Sequence, residues 1–428
     1  MTPRSGHDFE IVRDPLWDNI RLDGPAMALL DTPAIQRLRY VRQLGHAFLV
    51  YPGATHSRFE HALGAYHLTR RAIAILGERG ELGGVSDADL VVVPLAALLH
   101  DIGHYPFSHA LEEAGFESHE RLGAARLMEE PLAGVLEAQG IPDLAERIAA
   151  LIRGKSTSPL QGLISGTLDL DKIDYLSRDA RSCGVPYGAV DVDRLLASLT
   201  IVEGAGASRE IGIHEKGMSA LESLLFAKYQ MYRNVYWHHA VRSATCMFKR
   251  AVRQAVRDNV VGIEQLQELT DDAFMQVLIA SGRSPLAEAI RARILYKRAL
   301  DLPADRIPGT ATWIVDDPEL TERVENQLAV ECGLEPGMVL VDFPARNDML
   351  AVDLPVRLRD GSCEHLTNEG WSGHLGLPGI ADELYGSARR LRVFVARRID
   401  RSLDSIADLV GQTATDVRRR LESGVLLG

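Results

Sequence analysis

The sequence predicts a mainly α-helical fold that ends in a smaller α+β region. Three observations carry this expectation. Capped segments with apolar residues at helical spacing fill roughly the first 290 residues. From about residue 291 short β-branched runs appear between helices. The 428 residues are 46% hydrophobic, enough for a sizeable core and more than one domain. The expected division is a helical domain over 1–290 and an α+β region over 291–428 that serves oligomerisation or regulation.

Asp31-Thr32-Pro33 is a helix start, a cap residue followed by proline in the first turn. Residues 34–45 carry Ile35, Leu38 and Val41 at helical spacing, with Gly45 as the stop. A second helix is expected from Ser57 to about Gly77, followed by a loop with Gly80, Gly83 and Gly84. A third starts at the cap Ser86, with Asp87 and Asp89 in its first turn, and runs to His100 before Gly103. Residues 151–162 read as a loop, 167–182 as a helix, and 199–217 as a hairpin around a Gly-rich tip. Residues 218–258 are helix-periodic, with Tyr229, Tyr232, Tyr236 and Trp237 read as packing or subunit interface. Beyond 291, the segments 338–344, 350–358 and 391–397 read as strands and 319–332 as a helix.

The net charge of −12 disfavours broad nucleic-acid binding, because phosphate polymers are repelled at long range. Cys183, Cys246, Cys332 and Cys363 lie far apart without CxxC spacing, which fits a reducing cytosol rather than a disulfide framework. The first 15 residues lack an apolar signal segment, and the run 91–99 is too short to span a bilayer and contains Pro94. A soluble, cytoplasmic protein without membrane partners is expected.

Polar residues on helix faces carry the chemistry. His100 and Asp101 stand side by side at a helix end, where both can turn toward one ion. Arg58 and His61 share a face at i,i+3, and Asp171, Tyr175 and Asp179 share another at i,i+4,i+8. Imidazole with carboxylate suits Fe, Mn, Zn, Ni or Co, and Mg where oxygen and water dominate.

These segments resemble the HD-domain deoxynucleoside triphosphate triphosphohydrolases, a family of bacterial enzymes and the vertebrate SAM-and-HD-domain enzyme. Residues 32–45, 51–64, 98–112 and 168–181 match in order, and 228–242 matches more weakly. The resemblance implies an HD-domain helical core and a divalent metal held by His61, His100, Asp101 and Asp171. It implies that Arg58 and Lys172 contact phosphate, and that Tyr175 and Asp179 meet the sugar. Gln43 and Leu44 would touch sugar and base, and Arg233 the γ-phosphate. His109 is taken as the acid for the departing 5′ oxygen, with His104 and His119 as alternatives. If two of these histidines hold an ion instead, the centre is dinuclear. The implied reaction converts a dNTP into deoxynucleoside and triphosphate in a homo-oligomer, tetramer or dimer, with a nucleotide effector. Rivals are another nucleotide phosphohydrolase (nucleotidase, phosphodiesterase or alarmone hydrolase) and a non-catalytic nucleotide sensor. His46, His56 and His67 read as structural, and His238 and His239 as polar tips.

Overall fold

The structure is a computed structural model, and it describes residues 9–203, 209–308, 312–345, 350, 352–367 and 380–427. The chain opens on a hairpin that the sequence reading lacks, β1 (Phe9–Asp14) and β2 (Asp18–Asp23), paired antiparallel. Helices α1 (Gly24–Leu30) and α2 (Pro33–Arg37) follow, then α3 (Arg58–Glu78) and α4 (Asp87–Leu99). Next come α5 (His119–Arg126), α6 (Leu132–Glu137), α7 (Leu144–Ile152), α8 (Leu170–Cys183) and α9 (Val192–Leu196). The hairpin β3 (Leu199–Glu203) and β4 (Arg209–His214) leads into α10 (Met218–Met231) and α11 (His239–Arg257). Its expected glycine-rich tip, 204–208, lies outside the described residues. Helices α12 (Ile263–Glu268), α13 (Asp271–Ala280) and α14 (Pro285–Arg291) precede β5 (Lys297–Pro303). The remainder is α15 (Trp313–Asp316), α16 (Pro318–Glu331), β6 (Val339–Asp342), β7 (Leu354–Arg357), β8 (Cys363–Leu366), α17 (Ala381–Ala388), β9 (Arg390–Val395), α18 (Ile406–Val410) and α19 (Ala414–Ser423).

Helical periodicity and caps place most of these elements. Ser57 opens α3 with its N–H on the Glu60 carboxylate at 2.6 Å. Ser86 caps α4 by accepting from Asp89 N at 3.1 Å. Helix α8 begins at Leu170, three residues later than expected, because Asp169 caps it by accepting from Lys172 N at 3.1 Å.

Two expected helices are corrected. The segment 34–45 stays α-helical only to Arg37, followed by a tight turn over Leu38–Tyr40 and extended backbone at Val41. Tertiary bonds pull it out of helix. The buried Arg37 donates to the carbonyls of His104 (2.8 Å) and Leu269 (2.7 Å), and Arg42 N–H donates to Asp271 at 3.0 Å. The periodic stretch 218–258 is interrupted by a π-helical turn at Tyr232–Tyr236, which separates α10 from α11.

The largest apolar cluster packs α3, α4, α7, α8 and α10, with Tyr66, Leu68, Leu98, Ile148, Ile173 and Leu221 fully enclosed. A second lies under the three-stranded sheet β5-β9-β6, covered by α16, α18 and α19. A third joins Tyr105 and Phe107 to α11, α13, α14 and the sheet residues Leu340 and Phe394. The four-stranded sheet β3-β4-β7-β8 draws strands from both sides of residue 290, with β4 and β7 parallel. Among the described residues no helix is long and apolar enough to cross a membrane.

Candidate metal centre

Three helices meet where α4 ends. His61 projects from the second turn of α3, His100 and Asp101 follow the last turn of α4, and Asp171 lies in the first turn of α8. His61 Nε2 is 2.7 Å from Asp171 Oδ1, 3.2 Å from His100 Nε2 and 3.8 Å from Asp101 Oδ2. His100 Nε2 is 3.3 Å from Asp101 Oδ1 and 3.4 Å from Asp171 Oδ1. Donors about 2.0–2.2 Å from one ion stand roughly 3 Å apart, so His61, His100 and Asp101 have the spacing to hold a divalent metal, with Asp171 within 3.4 Å of both rings.

The ring orientations support the same reading. His61 Nδ1 meets Asp174 Oδ2 at 2.7 Å, and His100 Nδ1 meets the Ala97 carbonyl at 2.7 Å. Each outer nitrogen therefore carries the proton it donates, and the two Nε2 atoms face each other 3.2 Å apart. Hydrogen-bonded imidazoles of this kind are the usual supports of metal ligands. Burial opposes charge on His61, but hydrogen bonds to Asp171 and Asp174 outweigh it and hold the ring up to about 10. Burial opposes charge on Asp101 too, yet Arg58, His100 and His104 hold the carboxyl well below the ordinary range.

Asp174 is the residue the sequence reading missed. It lies three residues after Asp171 on α8, is fully buried, and takes Arg178 Nε and Nη2, each at 2.9 Å. Arg178 continues to Asp14 at 2.9 Å, and Trp17 Nε1 donates to Asp174 at 2.5 Å, so the N-terminal hairpin braces His61. Gly64 is required here, since a Cβ would lie 1.8 Å from Asp174 Oδ1.

Arg58 is buried, with Nη1 on Asp101 and Nε on Ser108 Oγ at 3.1 Å. Beside it lies a second cluster. His104, His109 and His119 turn their Nδ1 atoms toward Glu112 Oε1 at 3.8, 3.4 and 2.9 Å. His104 and His119 stack with centroids 3.7 Å apart, and His104 Nε2 reaches Asp101 Oδ1 at 3.1 Å. Burial and the Arg58 charge push His104 well below the ordinary range, so it is a neutral donor to Asp101. The four residues of this cluster also have the spacing to hold a metal.

Lys172, Asp179 and Arg233 already have partners. Lys172 Nζ donates to Asp169 and to the Gly166 carbonyl at 2.8 Å. Asp179 takes His56 Nε2 at 2.7 Å and the Tyr236 hydroxyl at 2.8 Å, which gives His56 and Tyr236 more than packing roles. Tyr175 stands edge-on to His61, with centroids 6.4 Å apart. Arg233 donates to the Tyr229 hydroxyl at 2.8 Å. Gln43 is buried with Oε1 lacking a hydrogen-bond partner among the described residues, and Leu44 packs beside Tyr51 and Cys183.

A helical core carrying a His/His-Asp/Asp constellation defines a class. The HD domain family matches residues 58–179, and the HD-associated region matches 190–369. The chain thus resembles an HD domain followed by an HD-associated region. An uncharacterized protein of Methanocaldococcus jannaschii is 37% identical over 306 residues, 72% of this chain and 63% of that one. The deoxynucleoside triphosphate triphosphohydrolase SAMHD1 of Gallus gallus is 27% identical, over 77% of this chain and 64% of its own. This chain thus spans under two thirds of both relatives. The solved structure of a phosphohydrolase from Bacteroides thetaiotaomicron shares the fold, with a TM-score of 0.69 and 24% identity over 91% of this chain and 100% of that one.

Proposed function

We propose that the chain is a metal-dependent phosphohydrolase that cleaves a dNTP at the α-phosphorus, giving deoxynucleoside and inorganic triphosphate. The observation that carries this reading is the convergence of His61, His100, Asp101 and Asp171 beside Arg58 and the histidine cluster. An ion held by these four would supply positive charge for polarising a phosphorus–oxygen bond and for activating water. Asp174 and the Ala97 carbonyl fix the two rings. Arg58 orients Asp101 and adds charge where the phosphate develops it. Water adds to the α-phosphorus and loses a proton to solvent, the bond to the 5′ oxygen breaks, and His109 gives that oxygen its proton. His109 fits this role because its ring is 60% exposed while Glu112 holds its Nδ1 side. The dNTP substrate is supported by the similarity to the Gallus gallus enzyme. A homo-oligomer with a nucleotide effector is part of the same proposal.

A second reading, hydrolysis of another nucleotide by the same centre, is favoured by the internal partners of Lys172, Asp179 and Arg233. Incubating the chain with each dNTP and with Mn, Mg, Fe, Zn, Ni or Co, then resolving products by ion exchange, separates the two. Triphosphate with deoxynucleoside supports the first, and orthophosphate or pyrophosphate refutes it.

A further inference from the structure

Phe107 and Ser108 are consecutive non-glycine residues in the left-handed region, with φ of 58° and 59°. Two such residues in a row are costly, about 1–3 kcal/mol each, and persist only where surroundings impose them. One carboxylate holds the first of them. Asp271, fully buried at the first position of α13, accepts from Phe107 N at 2.8 Å and from Arg42 N at 3.0 Å, and meets Arg42 Nη1 at 3.2 Å.

Those two backbone segments hold Arg58 from both ends. The kink aims Ser108 Oγ at the carbonyls of Arg42 (2.7 Å) and Gln43 (3.0 Å) while it accepts from Arg58 Nε at 3.1 Å. The backbone of Arg58 hangs on the same strip, donating to the Val41 carbonyl at 2.9 Å, and Gln43 N–H donates to His56 O at 3.0 Å. Gly45, at φ +49°, keeps the strip close, because a Cβ there would stand 3.0 Å from the Phe107 carbonyl. Arg58 in turn grips Asp101.

We propose that Asp271 is a positioning residue for the metal centre: by tying Arg42 to Phe107 it sets the Ser108 hydroxyl that orients Arg58 on Asp101. It lies within 190–369, outside the matched HD domain, so the associated region completes the geometry of a centre whose proposed ligands all lie in 58–179. The inference rests on the metal-centre part of the proposed function and not on the choice of nucleotide.

The test uses the full chain with cobalt(II) alone, whose visible absorption reports ligand geometry without any turnover. Asp271→Asn keeps the shape but loses one strong acceptor; it is expected to weaken cobalt retention about tenfold and shift the absorption band. Ser108→Ala is expected to do the same. The double variant is expected to be no worse than the worse single one, since both act through one contact. The control is Glu325→Gln, another buried carboxylate that accepts a backbone N–H (Val341, 2.9 Å) and meets an arginine (Arg250, 3.2 Å), on α16. It is expected to lower thermal stability while leaving the cobalt spectrum unchanged. An unchanged spectrum and affinity in Asp271→Asn, additive losses in the double variant, or an equal spectral shift in Glu325→Gln overturns the proposal. Should Asp271→Asn not fold, Ser108→Ala decides, and an unchanged spectrum there overturns it. A parent chain that takes up no cobalt overturns the metal-centre reading and this inference together, whereas cobalt uptake without triphosphate release refutes only the dNTP reading.

Discussion

Two histidine–carboxylate clusters touch at Asp101, and the protein holds them in opposite ways. In the first, His61 is 1% exposed, and both imidazoles have their outer nitrogens committed, to Asp174 and to the Ala97 carbonyl. In the second, three rings share one oxygen of Glu112, and the His109 ring is 60% exposed. Burial alone would raise the Glu112 carboxyl, but hydrogen bonds from His109 and His119 bring it well below the ordinary range. Fixed rings with facing Nε2 atoms suit an ion that stays. A ring with a shared acceptor and access to solvent, as His109 alone has in its cluster, suits a group that must exchange a proton. On the proposed function, the first cluster binds the ion and the second transfers the proton.

The sharpest break is Asp101→Ala, which removes the carboxylate that both clusters and Arg58 share. Metal content measured by atomic absorption is expected to fall to background, and turnover with it. A variant that keeps its metal and its activity would refute the ligand set. Next is His109→Gln, expected to lower kcat by about 10²–10⁴-fold with metal content unchanged. Loss of a metal ion instead would move the second cluster into the binding role. Smaller is Asp174→Asn, expected to cost about 10–100-fold in metal affinity, read by competition with a chelator. No change there would mean that the His61 ring needs no brace.

What the sequence made legible follows from distance along the chain. His61, His100, Asp101, Asp171 and Arg58 lie on helix faces or at helix ends, and the family resemblance of their segments marked them as one set. Asp174 lies in such a segment as well, three residues from Asp171, but its partners are His61, 113 residues away, and Trp17, 157 residues away. No local pattern shows such a pairing. The helix expected over 34–45 failed for the same reason, since Arg37 spends its donors on carbonyls at 104 and 269. Asp179 gave a correct helix face and an incomplete environment, because His56 and Tyr236 reach it from other elements.

The smallest effect on the site is expected where the second cluster is tied to the C-terminal sheet. Arg242 on α11 donates to Asp342 on β6 at 2.6 and 3.0 Å and to Glu113 at 2.8 and 2.9 Å, beside Glu112. Burial pushes both carboxyls up, but Arg242 outweighs it and leaves each below its ordinary value. A depressed folded value means stability that is present above about pH 4 and lost as acid protonates the groups. Arg242→Met leaves Asp342 buried without its ion pair and Glu113 with Lys249 alone, at a cost of about 3–5 kcal/mol at neutral pH. Burial then raises Asp342, and the sign of its contribution inverts: stability is present at low pH and lost as pH rises through the new value. Urea midpoints are therefore expected to stay level from pH 7 to about pH 5 and to fall from about pH 4 downward in the parent, and to rise as pH drops from 7 to 4 in Arg242→Met. Metal content is expected to be the same in both, since no first-cluster residue contacts Arg242 in the hydrogen bonds above. A parallel fall in the two proteins would show that Asp342 and Glu113 do not depend on Arg242, and loss of metal in the variant would show that the two clusters are not anchored separately.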